Sequence, residues 1–203
     1  MSSLTLLYNE IAQCEKCGLS KTRTMVVPGE GPEDADVLFI GEAPGWHEDK
    51  QGRPFVGPAG KFLDELLAAA GFKRTDVYIG NVIKCRPPNN RDPLPPEISA
   101  CKQWLDRQIE IISPRMIVTL GRYSMARYFP GQTIGRIHGT TRKENGIIYY
   151  AMYHPAAALH QQKLKAVIME DMSRIPQILA DAGSPDDERT EPENVSPEQL
   201  SMF

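Results

Sequence analysis

The chain has 203 residues, of which 41% are hydrophobic and 24% charged, the make-up of one globular domain with at most an appendage. This excludes a fully disordered chain or a fibre, and no apolar run approaches the ~20 residues that span a bilayer. The net charge of −3 is uneven: residues 183–203 carry six acids against Arg189 alone, a balance of −5, which leaves +2 on residues 1–182, so the acidic total does not exclude a phosphate-bearing partner.

The N-terminal stretch lacks a basic n-region, and Asn9 and Glu10 break its apolar run. This predicts a cytoplasmic protein without a secretory signal. Cys14-x-x-Cys17 follows, a half-site for a metal; Cys85 and Cys101, fifteen residues apart, complete a set of four. Four reduced thiols match one tetrahedral metal ion or one iron–sulfur cluster, but the second spacing is not that of a zinc ribbon. Free thiols packed as small hydrophobes are the plain alternative. Their polar neighbours, Glu15, Lys16, Lys84, Arg86 and Lys102, argue against core positions.

Residues 36–41 form an apolar run ending in glycine and predict a buried strand. It enters Gly41-Glu42-Ala43-Pro44-Gly45, a turn whose small residues admit close backbone approach. Glu42 is its single ionisable group: a base or cation stabiliser, or simply a solvated turn glutamate. A second glycine and proline loop, residues 52–60, carries Phe55, which can stack on a planar ligand or staple the next helix. That helix spans residues 60–71 by its apolar spacing, with Gly71 as the stop. Residues 77–85 predict a second strand with Asn81 in its middle; the amide can read the edge of a base or satisfy nearby backbone. A long amphipathic helix covers 95–113, a third strand 115–121 and a short helix 123–129. A turn at 146–147 enters a fourth strand, 148–153, which runs into His154-Pro155. A histidine there can donate to a developing oxyanion, or be structural. The last helix covers 165–182.

Strands alternating with helices predict an α/β fold in three α/β/α layers, around a four-stranded, mainly parallel sheet. Sites in such sheets form at the carboxyl ends of the strands, where Glu42, Asn81, Cys85 and His154 fall. Residues 1–182 read as one domain. Residues 183–203 read as a disordered acidic tail with apolar residues only near its end.

Taken together, Cys14-x-x-Cys17, Gly41-Glu42-Ala43-Pro44-Gly45, Gly52-Arg53-Pro54-Phe55-Val56-Gly57, Asn81 with Lys84-Cys85-Arg86-Pro87-Pro88, Cys101 and His154-Pro155 resemble the iron–sulfur uracil-DNA glycosylases, family 4 of that superfamily. The resemblance covers roughly residues 10–165. It implies a bacterial, nucleoid-associated repair enzyme that hydrolyses the N-glycosidic bond of uracil in single- or double-stranded DNA; a monomer is expected, though the sequence is silent on oligomeric state. It implies a structural [4Fe–4S] cluster on Cys14, Cys17, Cys85 and Cys101. It implies Phe55 stacked on the everted uracil, Asn81 on N3 and O4, and His154 on O2. Glu42 becomes the catalytic carboxylate, with Glu48 in support and Gly41 and Ala43 beside the base. In other families a tyrosine excludes thymine where Gly45 stands, so the sequence names no such group here. Arg136-Ile137-His138 resembles a tripeptide of a covalently trapping sister group but lies elsewhere in the chain, and is read with Arg142 and Lys143 as a basic DNA-facing loop. The alternatives are a covalent or tight uracil-DNA binding protein, an iron–sulfur electron carrier and a zinc-bound nucleic-acid module. Gln199, Leu200, Met202 and Phe203 resemble peptides that dock on the replication sliding clamp, a second partner for a flexible tail.

Overall fold

The computed structural model describes residues 2–183; the tail motif of Gln199, Leu200, Met202 and Phe203 lies outside the described residues. In chain order the elements are α1 (Ser3–Ala12), β1 (Val37–Gly41), α2 (Trp46–Gln51), α3 (Pro58–Ala69), β2 (Tyr78–Asn81), α4 (Pro95–Ile112), β3 (Met116–Leu120), α5 (Arg122–Tyr128), α6 (Ile134–Ile137), β4 (Thr141–Glu144), β5 (Ile147–Met152), α7 (Pro155–His160), α8 (Lys163–Ser173) and α9 (Ile175–Asp181). The sheet has the order β2-β1-β3-β5-β4, with β1, β2, β3 and β5 parallel and β4 antiparallel to β5.

Alternation along the strands divides the core. Val37 and Phe39 of β1 pack with Phe62, Leu63, Leu66 and Leu67 of α3 and with Ile168 and Met172 of α8. Leu38 and Ile40 point the other way, to Leu4, Leu7 and Ile11 of α1 and Trp104, Leu105 and Ile112 of α4. Helices therefore cover both faces, giving the α/β/α layering. The chain leaves β1 toward β2 on one side, then returns past β1 to β3 on the other. The order thus reverses between β1 and β3, where the strand ends leave a crevice.

Four expectations are corrected. The sheet has five strands, not four. The sequence Thr141–Glu144 is exposed throughout and lacks the alternation that marks a strand; a polar edge strand shields its backbone from unwanted pairing. Strand β2 ends at Asn81 rather than Cys85, because the Val82 and Ile83 amides turn to donate to Gly41 O and Glu42 O; Asn81 is its last residue, not its middle one. The last helix is two, since Pro176 in the first turn of α9 has no N–H to carry α8 onward. Arg136, His138, Arg142 and Lys143 do not form one loop: Arg136 is in α6, His138 follows it, and Arg142 and Lys143 are in β4.

Helix α1 is capped by Ser2, whose Oγ accepts from Thr5 N at 3.2 Å. Among the described residues no helix is long and apolar enough to cross a membrane.

Candidate functional site

Where β1, β2, β3 and β5 end, a cleft of about 790 Å³ opens, lined by Glu42, Ala43, Pro44, Gly45, Glu48, Phe55, Asn81, Arg122, Tyr153 and His154 among others. Sheet register places Gly41 directly beside Asn81. A Cβ on Gly41 would lie 2.5 Å from Asn81 Oδ1 and 2.6 Å from Phe55 Cζ. Glycine is thus required there by close approach of the two functional side chains.

Phe55 sits at φ +50°, a left-handed conformation that costs a bulky residue of order 1–3 kcal/mol. Its surroundings hold it there. Arg74 donates to Pro54 O at 2.5 Å and to Phe55 O at 3.3 Å. Gly60 passes so near that a Cβ would fall 1.9 Å from Phe55 O. The ring lies 5.5 Å from the His154 imidazole at an interplanar angle of 26°.

His154 accepts a hydrogen bond at Nδ1 from Ala156 N, 3.1 Å. In the neutral ring the one proton is then on Nε2, so the imidazole offers the cleft a donor. Burial keeps it neutral, pulling its pKa down to about 4 against the opposing charge of Glu48. Asn81 is 2% exposed, and its Oδ1 is buried without a hydrogen-bond partner among the described residues. An orphaned buried carbonyl is costly, and this one belongs to a residue that lines the cleft, where a ligand N–H could satisfy it.

Burial, then the charge of Asp92, pushes the Glu42 carboxyl above the usual carboxylate range, while Arg122 pulls it back. Asp92 and Arg122 are joined in an ion pair. Glu48 is differently placed. Its carboxylate accepts from Gly45 N at 3.1 Å and from Val56 N and Gly57 N at 2.9 Å each, stitching the Glu42 turn to the Phe55 loop. Its Oε2 lies 2.8 Å from where a Cβ on Gly45 would be, so it occupies the space that position 45 leaves open.

The four cysteines border a separate cavity with Ile11, Arg23, Lys84 and Trp104. The expectation that polar neighbours keep them out of the core is corrected for two: Cys85 and Cys101 are buried, because Lys84 turns inward with them. Donors point at the sulfurs: Arg23 to Cys85 at 3.1 Å, Lys84 N to Cys101 at 3.3 Å and Trp104 Nε1 to Cys14 at 3.3 Å. Burial raises the Cys85 thiol and pushes Cys101 up to about 11. Among the described residues no three of His, Cys, Asp and Glu converge as ligands of one ion; the thiols surround a space instead. Lys84 is 1% exposed and donates through Nζ to Asn81 O at 2.8 Å.

His138 is not part of the cleft lining: its Nδ1 is 2.9 Å from Asp171 Oδ2, and its ring lies 4.9 Å from that of Tyr153. Asp92 and Arg122 are not singled out by the sequence analysis, and Lys84 enters it only as a motif residue and polar neighbour of Cys85. Arg122 had a signal, since it follows the third strand's glycine at a strand end. Asp92 had none, because its partner Arg122 is distant in sequence.

A family model described as the uracil DNA glycosylase superfamily matches residues 28–173. The chain is similar to the type-4 uracil-DNA glycosylase of Sulfurisphaera tokodaii, 47% identical over 188 residues that cover 88% of this chain and 86% of that protein. It is also similar to that of Archaeoglobus fulgidus, 44% identical over 88% of this chain and 94% of that protein. Against that of Thermotoga maritima it is 40% identical over 89% of this chain and 96% of that protein.

Proposed function

The chain belongs to the uracil-DNA glycosylase superfamily, and from that membership we propose that it excises uracil from DNA as a monofunctional hydrolase, leaving an abasic site. The observation that carries the reading is the shared cleft wall of Phe55, Asn81 and His154, with the Asn81 carbonyl unpartnered.

The target base must leave the duplex, at a cost of a few kcal/mol. Stacking on Phe55, worth ~1–3 kcal/mol, offsets that cost. Asn81 Oδ1 accepts N3–H and its amide nitrogen donates to O4. Cytosine presents the opposite pattern and strands both groups, which is a strong basis for rejection. The pinned Glu48 carboxylate walls the cleft where Gly45 has no side chain, and we assign it the exclusion of a 5-methyl group. Glycosidic cleavage leaves a cationic sugar and a uracil anion. Glu42 stabilises the first and orients water; His154, donating from Nε2, stabilises the second at O2.

The donor set of four cysteines, with three N–H groups aimed at their sulfurs, fits a [4Fe–4S] cluster on Cys14, Cys17, Cys85 and Cys101. Thiols that surround a space suit a cluster better than one zinc ion. When bound, the cluster supplies rigidity to the chain around the site and takes no part in the bond cleavage. Residues 1–182 form the glycosylase domain. Docking of the tail motif on a sliding clamp rests on its sequence.

The test is incubation with a uracil-containing oligonucleotide, alkaline cleavage and a denaturing gel. Cleavage at uracil with turnover, from a brown protein absorbing at about 400 nm, is the expected result. A heat-stable protein–DNA adduct would instead favour covalent trapping, and no cleavage sinks the proposal. A second expectation follows from close approach: Gly41→Ala pushes Phe55 and Asn81 apart, and small misplacements of reacting groups cost about 100-fold. A kcat/KM drop of that order, with a cooperative melt retained, is expected; unchanged kinetics would remove Gly41 from the argument.

A further inference from the structure

Five residues join the two sites. Asn81 ends β2 with its amide in the cleft, and Cys85 borders the thiol cavity. Between them the chain is fixed at nearly every step. Val82 N and Ile83 N donate to Gly41 O and Glu42 O at 3.0 and 3.2 Å, and Lys84 O accepts from Val27 N at 2.8 Å. Lys84 N donates to Cys101 Sγ at 3.3 Å. The Lys84 side chain then folds back inside the protein, and its Nζ donates to Asn81 O at 2.8 Å.

A lysine 1% exposed is an expensive way to fill a core. Burying an ammonium costs several kcal/mol unless anions and acceptors surround it. An apolar side chain would occupy the same space without that cost. The groups that would supply negative charge around it are Cys85 and Cys101, held as thiolates when a cluster is bound, and the fixed acceptor is the carbonyl of Asn81. Arg127, in α5, adds the field of a second cation, which increases the need for those thiolates.

We infer that Lys84 is a positioning residue: its ammonium ties the backbone carrying the uracil-reading amide of Asn81 to the four-cysteine site, so that an assembled cluster holds the reader in register. The inference rests on the glycosylase and cluster assignments given above. It also gives the cluster a defined mechanical use, exerted through Lys84 rather than through electron transfer.

The experiment uses the full chain as purified, with Lys84→Met and Lys84→Arg. Three quantities are read: kcat/KM on uracil DNA, the inhibition constant of free uracil, and the midpoint potential of the bound cluster. For Lys84→Met, loss of a residue supporting a metal site's surroundings predicts a fall of about 10–100-fold in kcat/KM. Inhibition by uracil should weaken in parallel. The midpoint potential should fall, because removing a buried cation disfavours adding an electron. Lys84→Arg keeps charge and donors and should restore both uracil inhibition and potential toward wild type. A mere packing role predicts the reverse order, with methionine benign and the larger arginine disruptive, and that order overturns the inference. So does a methionine variant with unchanged uracil inhibition. Should that variant not fold, the arginine variant decides: wild-type uracil inhibition and potential support the tie, while weakened inhibition at an unchanged potential overturns it. A wild-type chain that leaves uracil DNA intact or lacks iron absorption would sink the parent assignment instead.

Discussion

Glu42→Gln is expected to lower kcat by about two to four orders of magnitude, the range for losing a positioned acid–base group, with affinity for uracil DNA little changed. Glutamine keeps the shape of the side chain and its place in the Gly41–Gly45 turn. What it loses is the negative charge facing the cationic sugar and the ability to take a proton from water, both of which matter only as the bond breaks. Single-turnover rates together with binding isotherms separate the two quantities. A variant that binds poorly but cleaves normally once bound would show Glu42 to be a DNA contact rather than a catalytic group.

The surroundings of Glu42 add a pH dependence. Burial and Asp92 raise its pKa, and the reaction needs the carboxylate. Activity should therefore fall, as pH is lowered, sooner than an ordinary glutamate would dictate. Asp92→Asn removes one raising charge and frees Arg122 from its ion pair. Both changes lower the Glu42 pKa, so the acid limb of the kcat profile should move to lower pH. Burial pulls the His154 pKa down to about 4, on the acid side of the raised Glu42 carboxyl. An acid limb that stays in place, or moves upward, would disconnect Asp92 from Glu42.

The second large effect concerns choice of base. Asn81→Asp should cut uracil excision by several orders of magnitude and create measurable cytosine excision. Sites built to pair a buried polar edge discriminate by about 10⁴–10⁵, and that advantage is what the substitution inverts. Position 81 is buried at 2% exposure, which raises the pKa of a carboxyl. A protonated carboxyl donates to cytosine N3 and accepts from its amino group. The measurement is excision from matched uracil and cytosine oligonucleotides across pH. Cytosine activity should grow toward acid pH as the carboxyl protonates. Full uracil activity with no cytosine excision would show that Asn81 is not the reader.

Much of this site was legible because its chemistry is carried by residue types that are out of place in a plain strand-to-loop turn. Glu42, Asn81 and His154 each stand at the end of an apolar run, and the rule that parallel sheets gather ligands at their carboxyl ends brings them together. Phe55 was legible as an aromatic in a glycine-rich loop, though not its left-handed backbone. The structure added what long-range contacts decide. The use of Glu48 as a strut depends on three amides from two loops. The donor face of His154 depends on one hydrogen bond from Ala156. The burial of Lys84 depends on a turn that brings its ammonium back to Asn81 O and on Cys101 from another helix.

The same division holds for the fold. Local pattern determined the parallel strands, the two-sided helical cover and the four-cysteine set, because apolar period and turn chemistry are written in consecutive residues. It did not determine where β2 stops, since the Val82 and Ile83 amides donate to Gly41 O and Glu42 O of the neighbouring turn. Nor did it reveal the polar edge strand β4, whose stability comes from pairing with β5 rather than from burial. Which charges are solvated and which lie inside was settled only by packing, because the free energy of a buried charge depends on partners far along the chain.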